Sequence, residues 1–245
     1  MLQRDREASQ HASPDQRQGN QVFELRRYRL HPGRREALIA LFDREFVTTQ
    51  EEVGIRVVGQ FRDLDQPDQF VWFRGFSDMD ARRAALNAFY TGPVWVEHGP
   101  AANATMIDSD DVLLLKPISI GSGFFADQAE PQASGAAAGS VAGFLIVTHH
   151  FHPQAGEAEA EAFARDFARQ AREAGATIQA SLISETQSNS FPRLPIREGE
   201  SVAVTVLRSD ADMAGVLARL PLAPAGTVLR CVVARVMPTE GSRLR

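Results

Sequence analysis

Three residues near the start of the chain, Glu24, Arg26 and Tyr28, place an acid, a guanidinium and a phenol at alternate positions of an apolar segment. Alternate side chains of a β-strand point to one face, so these groups are expected to lie together. A guanidinium can hold an anionic oxygen and a phenol can move a proton. The spacing predicts either a ligand site or an ion pair that locks two sheets together, because a buried Glu/Arg pair needs good hydrogen bonds.

A second group of candidates follows on later strands. Trp72 and Arg74 share one strand face, and with Gln60 they would form an aromatic-walled pocket suited to a planar acidic or phenolic compound. The alternative is that Trp72 is ordinary core. Asn103, before the last strand of this block, either caps a helix end or points into the pocket.

A histidine cluster, His149-His150-x-His152, ends the first strand of the second block. His150 and His152 share a face at about 7 Å, close enough for a shared metal, but no neighbouring cysteine or acidic pair completes a ligand set. We therefore predict no metal site and no cofactor. His149 points to the other face, where it is a candidate for moving a proton. The remaining interpretation is that all three are plain strand-end histidines.

Hydrophobic periodicity places these residues on two similar blocks, each with the element order βαββαβ. The predicted segments are a disordered tail (1–20), a first domain (21–118), a linker (119–141), a second domain (142–238) and a tail (239–245). Positions 121 apart match without a gap early in the blocks, as in His31 with His152 and Gly54 with Gly175, which indicates a duplication.

The bare face of each four-stranded sheet must be covered, and the two sheets can cover each other. We predict an α+β fold of two tandem ferredoxin-like domains packed sheet-to-sheet as an intrachain pseudo-dimeric α/β barrel. Phe23 and Leu25 would then face the helices, and the polar residues that alternate with them would face the opposing sheet. The same offset pairs His149 with Tyr28, which puts His149 on the sheet-to-sheet face too.

The second block has a longer hairpin, Glu185–Glu200, that carries Phe191 and Arg193. Long hairpins in compact domains are often binding elements or lids. The alternative is an extension that covers the open end of the barrel.

Composition excludes several classes of protein. The 245 residues carry a net charge of −5, so no basic field favours nucleic acid. No apolar run approaches the ~20 residues of a membrane helix, and the polar N-terminus is not a secretory signal. A single cysteine, Cys231, excludes an internal disulfide. We expect a cytoplasmic protein with no nucleic-acid or membrane partner; a small-molecule ligand and a second copy of the chain stay open.

The first block resembles the NIPSNAP family over nearly all of Val22–Pro117. The residues that carry the resemblance are Glu24–Tyr28 before Pro32-Gly33, Gly54–Phe61, Phe70–Phe76, Ala84–Trp95 and Ala102–Met106. The second block matches less well, and its Ser190–Glu200 segment looks like the second domain of tandem bacterial members.

The resemblance implies a dimeric α/β barrel, here closed within one chain. Its superfamily includes cofactor-free monooxygenases, small isomerases and haem-binding enzymes, so no single activity follows. Our leading hypothesis is a barrel that binds a small planar organic ligand, with cofactor-independent oxygenation or isomerisation as the reaction. Tyr28 or His149 would move a proton, Arg26 or Arg74 would hold an anionic oxygen, and Trp72 would stack. The alternatives are a non-catalytic scaffold protein and a haem- or metal-binding barrel.

Overall fold

The computed structural model describes residues 21–124, 143–209, 213–224 and 226–245. The predicted tail 1–20 and most of the predicted linker, residues 125–141, lie outside these residues. We call residues 21–124 the first half and residues 143–245 the second half.

The first half follows the predicted order of elements. Its strands and helices are β1 (Val22–Leu30), α1 (Arg35–Leu41), a π-helical turn (Phe42–Phe46), α2 (Val47–Glu52), β2 (Arg56–Asp63), β3 (Gln69–Phe76), α3 (Met79–Thr91), α4 (Pro93–Asn103) and β4 (Met106–Pro117). Asp78 caps α3 by accepting a hydrogen bond of 2.7 Å from the Ala81 amide, as Asp does at helix starts. Pro93 opens α4 at a position where no amide donor is needed.

The second half repeats this order, with a longer connection between its second and third strands, residues 185–201, than the equivalent residues 64–68 of the first half. Its elements are β5 (Gly143–Phe151), α5 (Glu157–Glu173), β6 (Thr177–Ser184), β7 (Val202–Ser209), α6 (Met213–Arg219) and β8 (Val228–Pro238). Gly54 and Gly175, at equivalent positions after the first helical region of each half, have φ angles of 90° and 91°. Glycine adopts this left-handed conformation without steric cost, so both helices stop at the same point of the repeat.

Eight antiparallel strands close into one barrel in the order β1-β3-β2-β8-β5-β7-β6-β4. Each half contributes four consecutive strands of that order, and the halves join where β2 pairs with β8 and β4 pairs with β6. The predicted fold, two ferredoxin-like halves forming an intrachain α/β barrel, is confirmed.

The prediction of which strand face looks into the barrel is wrong. Phe23 and Leu25 belong to the apolar cluster of the lumen, together with Phe61, Phe144 and Val206 from both halves. Tyr28 and Trp72 belong instead to the core between the sheet and the helices of the first half. The alternation along β1 is as expected, but the polar face of β1 is covered by helices and not by the opposing sheet.

Two segments outside the regular elements also reach the lumen. Phe124, from the predicted linker, packs its ring 5.4 Å from Phe23 and 5.1 Å from Phe73, centroid to centroid. Leu244, from the predicted tail 239–245, is 4% exposed and lies in the same apolar cluster. The tail is tied to the first half, because the Thr239 amide donates to the Gln60 carbonyl oxygen at 2.9 Å.

In the described part of the chain, no helix combines the length and the hydropathy needed to cross a bilayer.

Candidate functional site

Glu24, at the start of β1, lies at the centre of three arginines. Its Oε2 accepts hydrogen bonds of 2.7 Å from Nη1 of Arg26 and from Nε of Arg74. Its Oε1 accepts one of 2.7 Å from Nε of Arg82. Glu24, Arg74 and Arg82 have no exposed side-chain surface, and Arg26 is 2% exposed. We call these four residues the arginine site.

The strand register explains how β1 and β3 supply three of these groups. Glu24 lies directly opposite Arg74, and Arg26 lies opposite Trp72, so their side chains share the helix-covered face. Arg82 enters from α3 above that face. It occupies the buried stripe of α3, where a helix normally carries an apolar side chain.

The electrostatics of the arginine site are unbalanced. Burial alone would raise the pKa of Glu24, but Arg74, Arg26 and Arg82 together hold the pKa of its carboxyl far below the usual range. Glu24 is therefore ionised, yet within the described residues it is the one carboxylate in contact with the three guanidiniums. Two positive charges of this buried cluster have no anionic partner there.

Neutral groups complete part of the arginine site. Nη1 of Arg74 donates to Oε1 of Gln50, on α2, at 3.3 Å. Nη1 of Arg82 donates to Oδ1 of Asn189 and to Oγ of Ser190, both at 3.0 Å and both from the hairpin of the second half. Nη2 of Arg82 and Nε1 of Trp72 are buried with no acceptor in the described part of the chain. Buried donors without acceptors are costly, and here they surround excess positive charge.

Aromatic rings form the wall next to the arginines. The guanidinium of Arg26 lies 5.5 Å from the ring centroid of Tyr28 and 5.8 Å from that of Trp72. The guanidinium of Arg74 lies 5.2 Å from the Trp72 ring. Phe42, in the π-helical turn, packs edge-to-face on Trp72 at 4.8 Å. Such single π-helical turns occur frequently at functional sites.

The Tyr28 hydroxyl accepts a hydrogen bond of 2.8 Å from Nε of Arg26. Burial raises the pKa of Tyr28 above its ordinary value of 10, although the Arg26 charge acts in the opposite direction. The phenol is therefore protonated at neutral pH and could donate a proton rather than accept one.

The hairpin of the second half closes the arginine site from outside. Phe191 is 6% exposed, packs with the core of the first half and stacks on Tyr90 with centroids 6.0 Å apart. Arg193 is exposed, and its guanidinium lies 5.8 Å from the Phe191 ring. The hairpin therefore covers the helical side of the first half. It does not serve as the predicted alternative, an extension over the open end of the barrel.

The other two predicted ligand-binding residues lie at the margin or away from the arginine site. Gln60 is buried opposite Trp72 on β2, and its Nε2 donates to Oδ1 of Asp43 at 3.3 Å. Its Oε1 is buried and accepts no hydrogen bond from the described residues. Asn103 is exposed at the end of α4.

His149 occupies the position that is equivalent to Tyr28 in the repeat, but it is buried in the second half. Its ring lies 4.7 Å from Phe163 and 4.6 Å from Phe167, both on α5. The expectation that His149 faces the opposing sheet is wrong, because its neighbours are on a helix. Burial, with a smaller effect of His150, lowers the pKa of His149 to about 4.

The other two histidines of the cluster do not come together as a metal pair. His150 points toward the lumen side of β5 beside Thr148, with Nδ1 3.2 Å from Oε2 of Glu200. His152 is exposed in the turn after β5. Among the residues that the structure describes, no group of three or more His, Cys, Asp or Glu side chains is arranged to hold a metal.

The second half lacks the charges of the arginine site. The residues equivalent to Glu24 and Arg26 at the 121-residue offset are Leu145 and Val147, and both lie in an apolar core under α5. Leu145 pairs across the strands with Leu207, at the place where Glu24 pairs with Arg74 in the first half. The two copies have therefore diverged, with a charged site in one half and packing in the other.

The sequence analysis did not predict Arg82 and Gln50 as site residues. Both lie on helices, whereas the prediction grouped side chains by their alternation along strands. A signal was present for Arg82, since it follows Met79 by three residues and precedes Leu86 by four on the apolar stripe of α3. An arginine at a core position of an amphipathic helix requires a buried partner.

The buried His149 predicts a specific loss of stability in acid. Its pKa is about 4 in the folded state and about 6.5 in the unfolded chain, so the unfolded state binds the proton more readily between these values. Stability from this group is complete above pH 6.5 and falls by about 3 kcal/mol as the pH drops to 4. His149→Leu should flatten this part of the stability profile, measured by urea unfolding from pH 7.5 to 4. His152→Leu is the matched control, and an unchanged slope in His149→Leu would refute the assignment.

The fold and the arginine site together define the class of protein: an α/β barrel with a buried cluster of charged side chains under the helices of one half. Residues 23–121 match the sequence model of the NIPSNAP family. The first half is therefore similar to NIPSNAP domains.

Two solved structures have the same fold over most of the chain. A protein from Fusobacterium nucleatum, provisionally named a monooxygenase, is 7% identical with a TM-score of 0.55 and covers 90% of this chain and 93% of its own. One from Lactobacillus acidophilus, named in the same way, is 11% identical with a TM-score of 0.52 and covers 90% and 94%. A NIPSNAP family protein from Agrobacterium tumefaciens is 21% identical over 39% of this chain and 91% of its own, with a TM-score of 0.37. No curated protein matches the chain.

Proposed function

We propose that the first half binds a small organic anion with a planar ring at the arginine site. The observation that carries the proposal is the charge count: three buried guanidiniums face a single carboxylate. Buried charge without a counter-charge is strongly unfavourable, and a bound anion supplies the missing charge. The Trp72 and Tyr28 rings beside the guanidiniums favour a planar ligand.

The hairpin tip marks where the anion enters. Asn189 and Ser190 offer neutral oxygens to Nη1 of Arg82, while Nη2 of the same guanidinium has no acceptor in the described residues. A carboxylate can accept from both nitrogens of a guanidinium edge, with stronger charge-assisted bonds. We propose that the ligand replaces the two hairpin oxygens when the tip moves outward, with Phe191 over the bound molecule.

The proposed reaction is the cofactor-independent oxygenation or isomerisation that the family resemblance suggests. Tyr28 is the proposed proton donor, because its hydroxyl contacts Arg26 of the arginine site and its phenol is protonated at neutral pH. His149 has no part in this proposal, since it packs under α5 of the second half, whereas the arginine site lies under α3 of the first half. Binding of the anion is the first step and can be tested without knowing the reaction.

The test is calorimetric titration with benzoate, salicylate and 4-hydroxybenzoate, alongside benzamide as a neutral molecule of similar shape. We expect saturable binding of at least one carboxylate and none of the amide. Arg82→Gln should weaken binding at least tenfold, because a charge-assisted hydrogen bond contributes about 1.5–3 kcal/mol. Near-ultraviolet circular dichroism checks that the variant keeps its packing.

Arg83→Gln is the matched control, since Arg83 is the next residue on α3, is 63% exposed and pairs with Asp80 on the same helix. It should bind like the wild type. Equal binding of benzamide and the carboxylates would contradict the proposal. Absence of any anion binding, with Arg82→Gln only destabilised, would favour the scaffold hypothesis, in which the arginine site is a structural lock.

A further inference from the structure

A separate cavity of about 420 Å³ lies in the second half, between the start of α5, the end of β6 and the base of the hairpin. Its floor is apolar and is formed by Ala160, Ile183, Ile196 and Val202. Small-molecule sites have this size and this combination of an apolar floor with a few polar groups. None of the residues of the arginine site lines this cavity.

The polar groups around the cavity are acidic. Four carboxylates line it, those of Glu157, Glu185, Glu198 and Glu200. Glu157 pairs with Lys116 at 3.0 Å, and Glu200 pairs with Arg197.

Two of the carboxylates have no cationic partner among the described residues. Glu185 accepts a hydrogen bond from the Gln187 amide at 2.9 Å, and Glu198 accepts one from the Asn189 amide at 3.2 Å. The cavity therefore carries uncompensated negative charge above an apolar floor.

The third of these carboxylates, Glu200, is already engaged, since it pairs with Arg197 and its buried Oε2 lies 3.2 Å from Nδ1 of His150. Glu185 and Glu198 each accept one backbone hydrogen bond, so their carboxylates keep spare acceptor capacity. Carboxylates of this kind favour a ligand that donates hydrogen bonds. An ammonium group provides both the donors and the positive charge.

We propose that this cavity binds a small organic cation, a primary amine with an apolar or aromatic body. The ammonium group would lie between Glu185 and Glu198, and the apolar body would lie on Ile183 and Val202. The tip of the hairpin closes the arginine site and its base lines the cavity. The two sites are therefore chemically opposite and separate, and the cation site does not depend on the proposed anion binding.

The experiment uses 2-phenylethylammonium as the probe and 3-phenylpropionate as its anionic counterpart, both titrated into the full chain. Binding is followed by methyl-resolved nuclear magnetic resonance. We expect saturable shifts at Ile183, Ile196 and Val202 with the ammonium probe and none at these residues with the carboxylate.

The Glu185→Gln/Glu198→Gln double variant should weaken binding of the ammonium probe at least fivefold. Glu198 is exposed and Glu185 is half-buried, so the variant is expected to fold like the wild type, and thermal unfolding checks this. Glu159→Gln, exposed on α5 and outside the cavity, is the control and should leave affinity unchanged. Equal binding of 3-phenylpropionate, shifts elsewhere, or undiminished affinity in the double variant would each overturn the proposal.

Discussion

Glu24→Gln is expected to destabilise the protein by about 3–5 kcal/mol, which is the usual cost of removing one partner from a buried ion pair. Glutamine has nearly the same shape, so the change removes charge without leaving a cavity. Arg26, Arg74 and Arg82 would then be buried around a neutral group that can also present donors. A native domain has only about 5–15 kcal/mol of stability, so this single substitution threatens folding itself. Urea unfolding at pH 7 measures the effect.

The matched control is Glu36→Gln, which breaks an ion pair of similar length. Glu36 accepts from Nη2 of Arg62 at 2.7 Å, but it is 61% exposed, so its loss should cost less than about 1 kcal/mol. A benzoate-type anion at saturating concentration should recover part of the stability of the Glu24→Gln variant, because it returns negative charge to the arginine site. An effect of Glu24→Gln no larger than that of Glu36→Gln would contradict the structure of the site.

The same carboxylate sets a pH dependence. The pKa of Glu24 is depressed in the folded state, so its contribution is complete above the unfolded pKa of about 4.3 and is lost progressively as the pH falls below that value. The His149 effect lies at higher pH, between 6.5 and 4. The two groups can therefore be separated in one acid titration of unfolding free energy.

The isolated first half, residues 21–124, is expected to form dimers or aggregates. On its own it exposes Phe23, Leu25 and Val71, which the second half buries in the full barrel. It also leaves the edges of β2 and β4 without their partners β8 and β6. A second copy can cover both the apolar face and the two edges, since the halves share one topology.

Size-exclusion chromatography with light scattering measures the outcome of this truncation. Two chains per particle, or loss to aggregation, is the expected result. Mixing the first half with residues 143–245 should instead restore a one-to-one complex, because the complementary surfaces are those of the intact barrel. A well-behaved monomer of the first half would contradict the shared lumen.

The order of elements and the duplication could be predicted from the sequence because they depend on local signals. Strands with period-two alternation, helices with period 3.6 and the stop glycines Gly54 and Gly175 all act over a few residues. The offset of 121 then required two sheets of the same topology. Antiparallel closure into one barrel followed from the need to cover both bare faces.

The sequence could not predict which face of each strand lines the barrel lumen and which face the helices cover. Both faces of β1 are buried, so alternation shows that Glu24 and Arg26 lie together and that Phe23 and Leu25 lie together. It does not show which pair faces the lumen. The helical side can supply polar partners, Gln50, Arg82 and the hairpin tip, whereas the central lumen has apolar side chains from both sheets.

Only some residues of the arginine site could be predicted, because alternation along a strand groups side chains of one sheet and not those of distant segments. Glu24, Arg26 and Arg74 share a sheet face, so strand parity could group them. Arg82 comes 58 residues after Glu24 and Asn189 a further 107 after Arg82, and no local pattern joins such distant positions. His149 was grouped with Tyr28 by the repeat, but equivalence in a duplication means the same place in another half, not the same site.

The most direct test of the central claim is native mass spectrometry of the full chain, gently purified from its own host. We expect an added mass in the range of small organic molecules, about 100–400 Da, that is lost on denaturation and detected as an anion. The added mass should be absent in Arg82→Gln and retained in Arg83→Gln, since Arg82 belongs to the arginine site and Arg83 is exposed and pairs with Asp80. A bare chain mass in the wild type, together with no saturable binding of aromatic carboxylates, would contradict an anion-binding function.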